Sequence, residues 1–324
     1  DGDSKIVDIM KSLKSLSVNE IISSDAAVKL LNDKIDFSVL SDSTAFLDNG
    51  CKSGVILIDI ARRLKEEGYS DSIIRNALWC IPTSGLTYEI IRLVYESYGW
   101  NTDHILWTGG KYSALEVNDF LVRYQHDKID KNSDKDMFML GLFDEVLKEL
   151  ADKNNSVNDV DIDTNNDDTI THNDTDNKLF TYTISNPPYQ IDVSKGEKST
   201  GTRTSIDIFP DFHKYAINYC DNVIMIYPAT WQKNINKGHG KWLIDNGLKS
   251  ASNYSAQELF GGSIKKGIIV SIVNTIADYD KDIYSNGIAR SRDILIWIED
   301  DNYYLLYKNI IKWEGKFLSG AEYI

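Results

Sequence analysis

Apolar residues recur at helical spacing from Val7 to Leu16, break at a polar stretch, and recur after Ser24 and Asp25, which predicts a capped helix through Ile35. Thr44–Asp48 then reads as a short buried strand, and Val55–Glu67 as an amphipathic helix with Ile56, Ile60 and Leu64 on one face. The rhythm repeats with a strand over Asn76–Ile81 and a helix over Thr87–Tyr98. Such alternation indicates parallel strands joined by crossover helices, hence an α/β fold. Ile105–Trp107 and Ala114–Val117 are further strand candidates, and Met137–Leu150 reads as a helix. Phe180–Ser185 and Asn222–Tyr227 are strongly β, with a helix over Ile208–Tyr219 between them. Gly267–Thr275 is a late β-branched strand. The aromatic-rich stretch 283–324 follows without a clear period.

Residues 151–178 interrupt this pattern. They are rich in Asn, Asp and Thr with almost no apolar periodicity, which predicts a loop or a disordered insertion. Asp161-Ile162-Asp163-Thr164-Asn165 hints at a calcium loop. It lacks the glycine such loops place sixth and has His172 where the twelfth position needs an acid, so a solvated loop is the better reading. Eight aspartates and two lysines fall in 151–178, yet the rest of the chain, with a total net charge of −14, is still acidic. A nucleic-acid partner would therefore be held weakly unless a basic surface lies outside this chain.

No apolar run is long enough for a membrane span and no signal peptide opens the chain. The start at Asp1 without an initiator methionine suggests a trimmed or processed end. Cys51, Cys80 and Cys220 are too scattered for a disulfide framework or metal cluster, and a reducing cytoplasm is expected. The five histidines show no metal spacing.

Chemistry concentrates in two loops. Ile184-Ser185-Asn186-Pro187-Pro188-Tyr189-Gln190 directly follows a predicted strand. Two prolines fix two φ angles and remove two donors, so the chain must leave the sheet at the strand's carboxyl end, where open α/β sheets place ligands. The turn offers the Asn186 amide, the Pro187 carbonyl and the Tyr189 ring. A planar base with an exocyclic amine needs two acceptors and a stacking face, although the same residues also suit a plain strand-ending turn. The second loop, Asp48-Asn49-Gly50-Cys51-Lys52-Ser53-Gly54, joins a strand to a helix. Its glycines allow close approach of a ligand to free helix N–H groups, a feature shared by many nucleotide-binding folds.

Together the loops resemble those of the adenine-N6 DNA methyltransferases of restriction-modification systems, whose cofactor motif precedes a catalytic Asn-Pro-Pro-Tyr. The resemblance covers roughly residues 18–275 and implies a seven-stranded, Rossmann-like, mostly parallel sheet in a three-layer sandwich over residues 1–280. Residues 281–324 would begin a recognition or accessory region. It implies S-adenosylmethionine as cofactor, catalysis by Asn186, Pro187, Pro188 and Tyr189, and transfer to N6 of an adenine flipped out of double-stranded DNA. Cofactor contacts carry over to Ile22 and Ser23 (a loose match to the opening motif Val18–Asp25), Asp48, Asn49, Gly50, Cys51, Ser53, Gly54 and Ser84, and to Asp119 and Phe120 at a strand end.

Tyr227-Pro228-Ala229-Thr230-Trp231 resembles the border of the target-base pocket, so Trp231 and Lys233 join Tyr189 as substrate contacts. Ser263–Val273 matches the turn and strand that follow. Two departures stand out: Asn49 replaces the family's Pro, and Gly85 in Thr83-Ser84-Gly85-Leu86-Thr87 replaces an acid that takes the ribose hydroxyls, leaving Ser84 or Glu89 to substitute. Implied partners are a recognition domain, specificity subunit or restriction nuclease. Two other readings are a protein glutamine-N5 methyltransferase, in which the two loops lie much closer in sequence, and a degenerate, non-catalytic DNA-binding subunit.

The remaining signals are weaker. His213 reads as structural. His239, with Lys233 and Lys241, suits either phosphate contacts or a solvated loop. Lys195, Lys198 and Arg203 suit a loop closing over an extruded base or a plain surface loop. The aromatic residues of 297–313 read as core or interface.

Overall fold

The computed structural model describes residues 23–110, 113–158, 178–193, 204–234, 238–261, 269–276, 282–285 and 288–291. The first described element is α1 (Asp25–Asn32), whose first turn is capped by Ser24 accepting from the Ala27 N–H at 3.2 Å. Strand β1 (Phe46–Cys51) leads into α2 (Val55–Glu66), and the short α3 (Asp71–Ala77) precedes β2 (Leu78–Pro82). Helices α4 (Gly85–Tyr98), α5 (Ser113–Gln125) and α6 (Asp134–Asn158) follow. Then come β3 (Phe180–Ser185), the hairpin β4 (Gln190–Val193) and β5 (Thr204–Asp207), α7 (Phe209–Tyr219) and β6 (Cys220–Pro228). The last described elements are α8 (Gly238–Asp245), β7 (Leu248–Ser255), α9 (Ala256–Phe260), β8 (Ile269–Ile276), β9 (Asp282–Ser285) and β10 (Ile288–Ser291).

Among the described residues the main sheet has eight strands in the order β10-β9-β7-β8-β6-β3-β1-β2. β2, β1, β3 and β6 run parallel; β8 is antiparallel to both of its neighbours, β6 and β7. Side chains alternate between two buried faces: Leu47, Trp79 and Met225 enter one core, and Phe46, Cys80 and Ile224 the other. Because both faces are covered, β1 and β2 are buried along their whole length; β2 is apolar throughout, while β1 carries the buried polar Asp48 and Asn49 at its centre. The first core packs under α5 to α8, the second under α1 to α4 and α9. In α2 the stripe Ile56, Leu57, Ile60 and Leu64 is buried, contributing about 1.5–3 kcal/mol per large side chain. The opposite face carries Arg62 and Glu66, 2.5 Å apart.

Helix α/β alternation and the three layers match the expectation; several details differ. Ile105–Trp107 makes only a single parallel bridge, Ile105 to Cys80, with Leu106 N–H donating to the Cys80 carbonyl at 2.9 Å. The chain then turns at Gly109, whose φ is +83°, before a second rung can form. Ala114–Val117 is not a strand: it lies in α5, because Ala114, Val117, Asn118 and Leu121 bury one helical stripe that a four-residue window hides. Helix α6 continues to Asn158, into the segment read as a loop from 151 onward. Residues 159–177, including the Asp161–His172 candidate, lie outside the described residues. The sheet also runs past residue 280, since β9 pairs in parallel with β7 and β10 pairs with β9; 292–324 lie outside the described residues. Among the described residues no helix is long and apolar enough to cross a membrane, no group of His, Cys, Asp or Glu is placed to hold a metal ion, and all three cysteines are free and buried.

Candidate active site

The parallel neighbours β1 and β3 deliver the two loops to the same end of the sheet. Their contact is close. A Cβ on Gly50 would stand 3.0 Å from the Cα of Pro187 and 3.2 Å from Ser185 Oγ, so any larger residue there would push its neighbours apart by a few tenths of an ångström. Gly54 takes φ +75° as the residue before α2, where a side chain would be strained. Asp48, Gly50, Lys52, Ser53 and Gly54 of the first loop, with Ser23 and Asn186, line one small cavity.

The polar groups around it are buried and connected. Asp48, 3% exposed, accepts from Ser185 Oγ at 2.9 Å and from the Gly50 N–H at 3.3 Å. Burial pushes its carboxyl above the usual range, opposed by these donors and by the nearby Lys52 cation. Asn186, also 3% exposed, donates from Nδ2 to Ser23 Oγ at 3.1 Å, which fixes the plane of its amide. Lys52 Nζ donates to the Asn186 main-chain carbonyl at 2.9 Å. Tyr189 follows two prolines and is braced by its carbonyl accepting from the Ile208 N–H at 3.0 Å. Its hydroxyl is enclosed without a hydrogen-bond partner among the described residues, and burial raises its titration.

Other expected site residues fall elsewhere. Asn49 points away from the cavity: its Nδ2 donates to Asn118 Oδ1, the Phe212 carbonyl and Tyr219 Oη at 3.0–3.2 Å, tying the loop to α5 and α7. Cys51 is fully buried in the second core. Ser84 is the N-cap of α4, in a reciprocal capping box with Thr87, and Gly85 beside it is exposed with open space where a side chain would stand. Glu89 pairs with Arg92 on the outside of α4. Asp119 and Phe120 do not stand at a strand end: both are mid-helix in α5, Asp119 paired with Arg123 at 3.0 Å and Phe120 packed against Tyr124 and Phe143. The α5 residue that reaches the Asp48–Gly54 loop is their neighbour Asn118, whose Nδ2 donates to the Asn49 carbonyl at 3.1 Å. Ile22, Lys195, Lys198, Arg203 and the Lys233 side chain lie outside the described residues.

Trp231, 4% exposed, lines a second cavity of about 450 Å³ with Phe209, Pro210, Thr230 and His239. His239 is neither in a solvated loop nor at a phosphate-ready surface. It lies in α8, stacked on Trp242 with centroids 5.5 Å apart, and its Nε2 stands 3.4 Å from Tyr227 Oη. Tyr227 Oη in turn pairs with His213 Nδ1 at 3.1 Å, and His213 Nε2 with Thr275 Oγ1 at 3.0 Å. Burial holds His239 down to about 3 and His213 well below the ordinary imidazole range, so both are neutral. Lys52, Ser185 and Asn118 were missed by sequence reasoning. Only Lys52 left a trace there, as a charged residue between two glycines.

Comparison with known proteins agrees with this arrangement. The family model described as Eco57I restriction-modification methylase matches residues 64–260, which include Asn186–Tyr189 but begin after the Asp48–Gly54 loop. No curated protein matches. Among solved structures, a type I restriction-modification system methyltransferase subunit from Streptococcus thermophilus superposes with a TM-score of 0.50 at 11% identity, over 96% of this chain and 57% of that one. The type IIG restriction endonuclease BpuSI gives 0.51 at 14% identity, over 87% of this chain and 28% of that one. A nuclease-deletion mutant of the Type ISP restriction-modification enzyme LlaGI, in complex with a DNA substrate mimic, gives 0.50 at 13%, over 89% and 26%. At such identities the likeness is one of fold, and the chain spans little more than half, or less, of these proteins' lengths. The family match covers more than half of the residues, and the chain belongs to the Eco57I restriction-modification methylase family.

Proposed function

We propose that this chain methylates DNA, transferring a methyl group from S-adenosylmethionine to N6 of a flipped-out adenine. The observation that carries the reading is the contact of the two loops. Asn186, Pro187 and Tyr189 stand just past the end of β3, where Pro187 and Pro188 press against Gly50 of the Asp48–Gly54 loop.

The residues around the first cavity suit the methyl donor. Gly50 and Gly54 keep the loop thin, α2 begins directly behind it, and Ser23, Ser53 and Asp48 offer polar atoms. Those residues, with Ile22, would hold the methionine end, and Ser84 would stand at the ribose beside the open space at Gly85. When bound, the donor supplies a methyl group already activated on a sulfonium. Asn186 Oδ1 and the Pro187 carbonyl accept the two N–H bonds of the adenine amine, drawing its nitrogen toward sp³ geometry and exposing the lone pair. Tyr189 stacks on the ring, and Trp231 walls the neighbouring space. Holding the amine and the donor loop at fixed separation is the main catalytic contribution, because such positioning lowers the barrier without new chemistry. Double-stranded DNA is the substrate, and an attached recognition domain, specificity subunit or nuclease supplies a basic surface to offset this chain's net charge of −14.

Asn186→Ala tests the assignment. Loss of an acceptor made for the transition state is expected to reduce N6-methyladenine formation at least ~100-fold, with donor binding retained. Mass spectrometry of digested, initially unmethylated plasmid DNA reads the first, and calorimetry with S-adenosylmethionine the second. Parental turnover in the variant refutes the role of Asn186. Methyl transfer to protein glutamine alone, or no heat with the parent chain, refutes the proposed activity.

A further inference from the structure

Lys52 belongs to neither set of expected site residues, yet it spans the two loops. It is only 7% exposed, and lysine is seldom buried unless paired. Its ammonium donates across 134 positions of sequence to the main-chain carbonyl of Asn186. That carbonyl sits just past the end of β3, and neither of the two prolines that follow has an N–H of its own to offer it. A buried carbonyl needs a donor, and here a side chain from the other loop supplies it. Asp48, in the same loop as Lys52, offers the compensating charge, and its other contact, Ser185 Oγ, comes from the residue just before Asn186. Ser23 holds the Asn186 side chain while Lys52 holds its backbone.

We propose that Lys52 is a positioning residue which fixes the backbone of Asn186, and with it the direction of the Pro187 carbonyl, from the methyl-donor loop. The proposal rests on the methyl-transfer reading above. Its consequence is coupling: order imposed on the Asp48–Gly54 loop reaches the catalytic loop through this ammonium–carbonyl bond, alongside the Asp48–Ser185 bond, and linkage makes the effect reciprocal.

The test uses the full chain and two variants. Lys52→Met keeps the reach of the side chain but cannot donate; Lys52→Arg keeps a donor. In the free protein, amide hydrogen exchange of the peptide spanning 184–190 is expected to rise at least ~10-fold in Lys52→Met. Turnover on unmethylated plasmid DNA falls by a similar factor, the calorimetric Kd for S-adenosylmethionine stays within about threefold, and Lys52→Arg recovers most of the protection. Unchanged exchange in Lys52→Met overturns the proposal. A loss of turnover matched by an equal loss of donor affinity also overturns it, since that marks a residue that merely lines the donor cavity. If Lys52→Met does not fold, Lys52→Arg decides: retained protection of 184–190 supports the tie and lost protection overturns it. A parent chain that methylates no DNA would sink the methyl-transfer reading, while the exchange comparison would still decide whether Lys52 holds the loop.

Discussion

At the ends of β1 and β3 the buried polar groups include an acid and a base, Asp48 and Lys52, whereas at the end of β6, on the same sheet, the buried titratable groups stay neutral. The first network joins Asp48, Lys52, Ser185 and Asn186; the second joins His213, Tyr227, His239 and Thr275. Both tie separate elements together, but they meet burial differently. A carboxylate and an ammonium taken from water need each other and a full set of hydrogen bonds, and removing one partner strands the other. Two imidazoles and a phenol avoid that cost by staying uncharged. The acid–base network therefore sits where the two loops meet, and the neutral one where α7, α8 and the sheet pack into a wall.

The sharpest way to break the comparison is acid. His213 and His239 have folded-state values far below their unfolded value near 6.5, so their contribution is present above that value and is lost as pH falls toward the folded ones. Between pH 7 and pH 5 each is expected to remove about 2 kcal/mol of stability, because the unfolded chain takes up protons that the native cluster refuses. Lys214, whose charge already disfavours the imidazolium of His239, adds to the effect. Asp48 has the opposite sign: its raised folded value makes the buried carboxyl least unfavourable at low pH. Urea unfolding at pH 7 and pH 5 measures the sum, and in a His213→Phe, His239→Phe double variant the acid-induced loss should shrink. A loss of the same size in that variant would show that the cluster is not its source.

Gly50→Ala strikes the charged end next. Its added methyl meets main-chain atoms of Pro187, which cannot step aside as a flexible side chain would. About 1–3 kcal/mol of destabilisation is expected from overpacking, with a larger proportional loss of methyl transfer, compared by melting and turnover of the same preparation. Tyr227→Phe strikes the neutral end by removing the hydroxyl between the two histidines. It is expected to cost about 1–2 kcal/mol in denaturant unfolding while leaving donor binding intact. The smallest effect is Ser185→Ala, about 1 kcal/mol from one lost donor, with the measurable consequence that the Asp48 carboxyl titrates still higher in carbon-13 NMR.

Local chemistry made much of this legible in advance. The Pro-Pro turn after β3, the glycine loop before α2 and the Ser24 cap each depend on backbone rules acting over a few residues, so their places could be read directly. Elements were misread where the window was too short. Ala114–Val117 has the apolar content of a strand, and only the continuing stripe to Leu121 reveals α5. With that strand went the expected place of Asp119, whose partner proved to be Arg123 on its own helix. His239, flanked by glycines, looked like loop until packing against Tyr227 and Trp242 placed it in a wall.

The sequence by itself thus determined the α/β alternation, the two loops and the chemistry their side chains offer, because turn geometry and periodicity are local properties. Only the tertiary structure decided that Gly50 must touch Pro187, that Asn49 braces α5 and α7 instead of facing the cavity, and that Lys52 reaches the carbonyl of Asn186. These are meetings between residues far apart along the chain. They follow from the parallel pairing of β1 with β3, which no short stretch of sequence encodes.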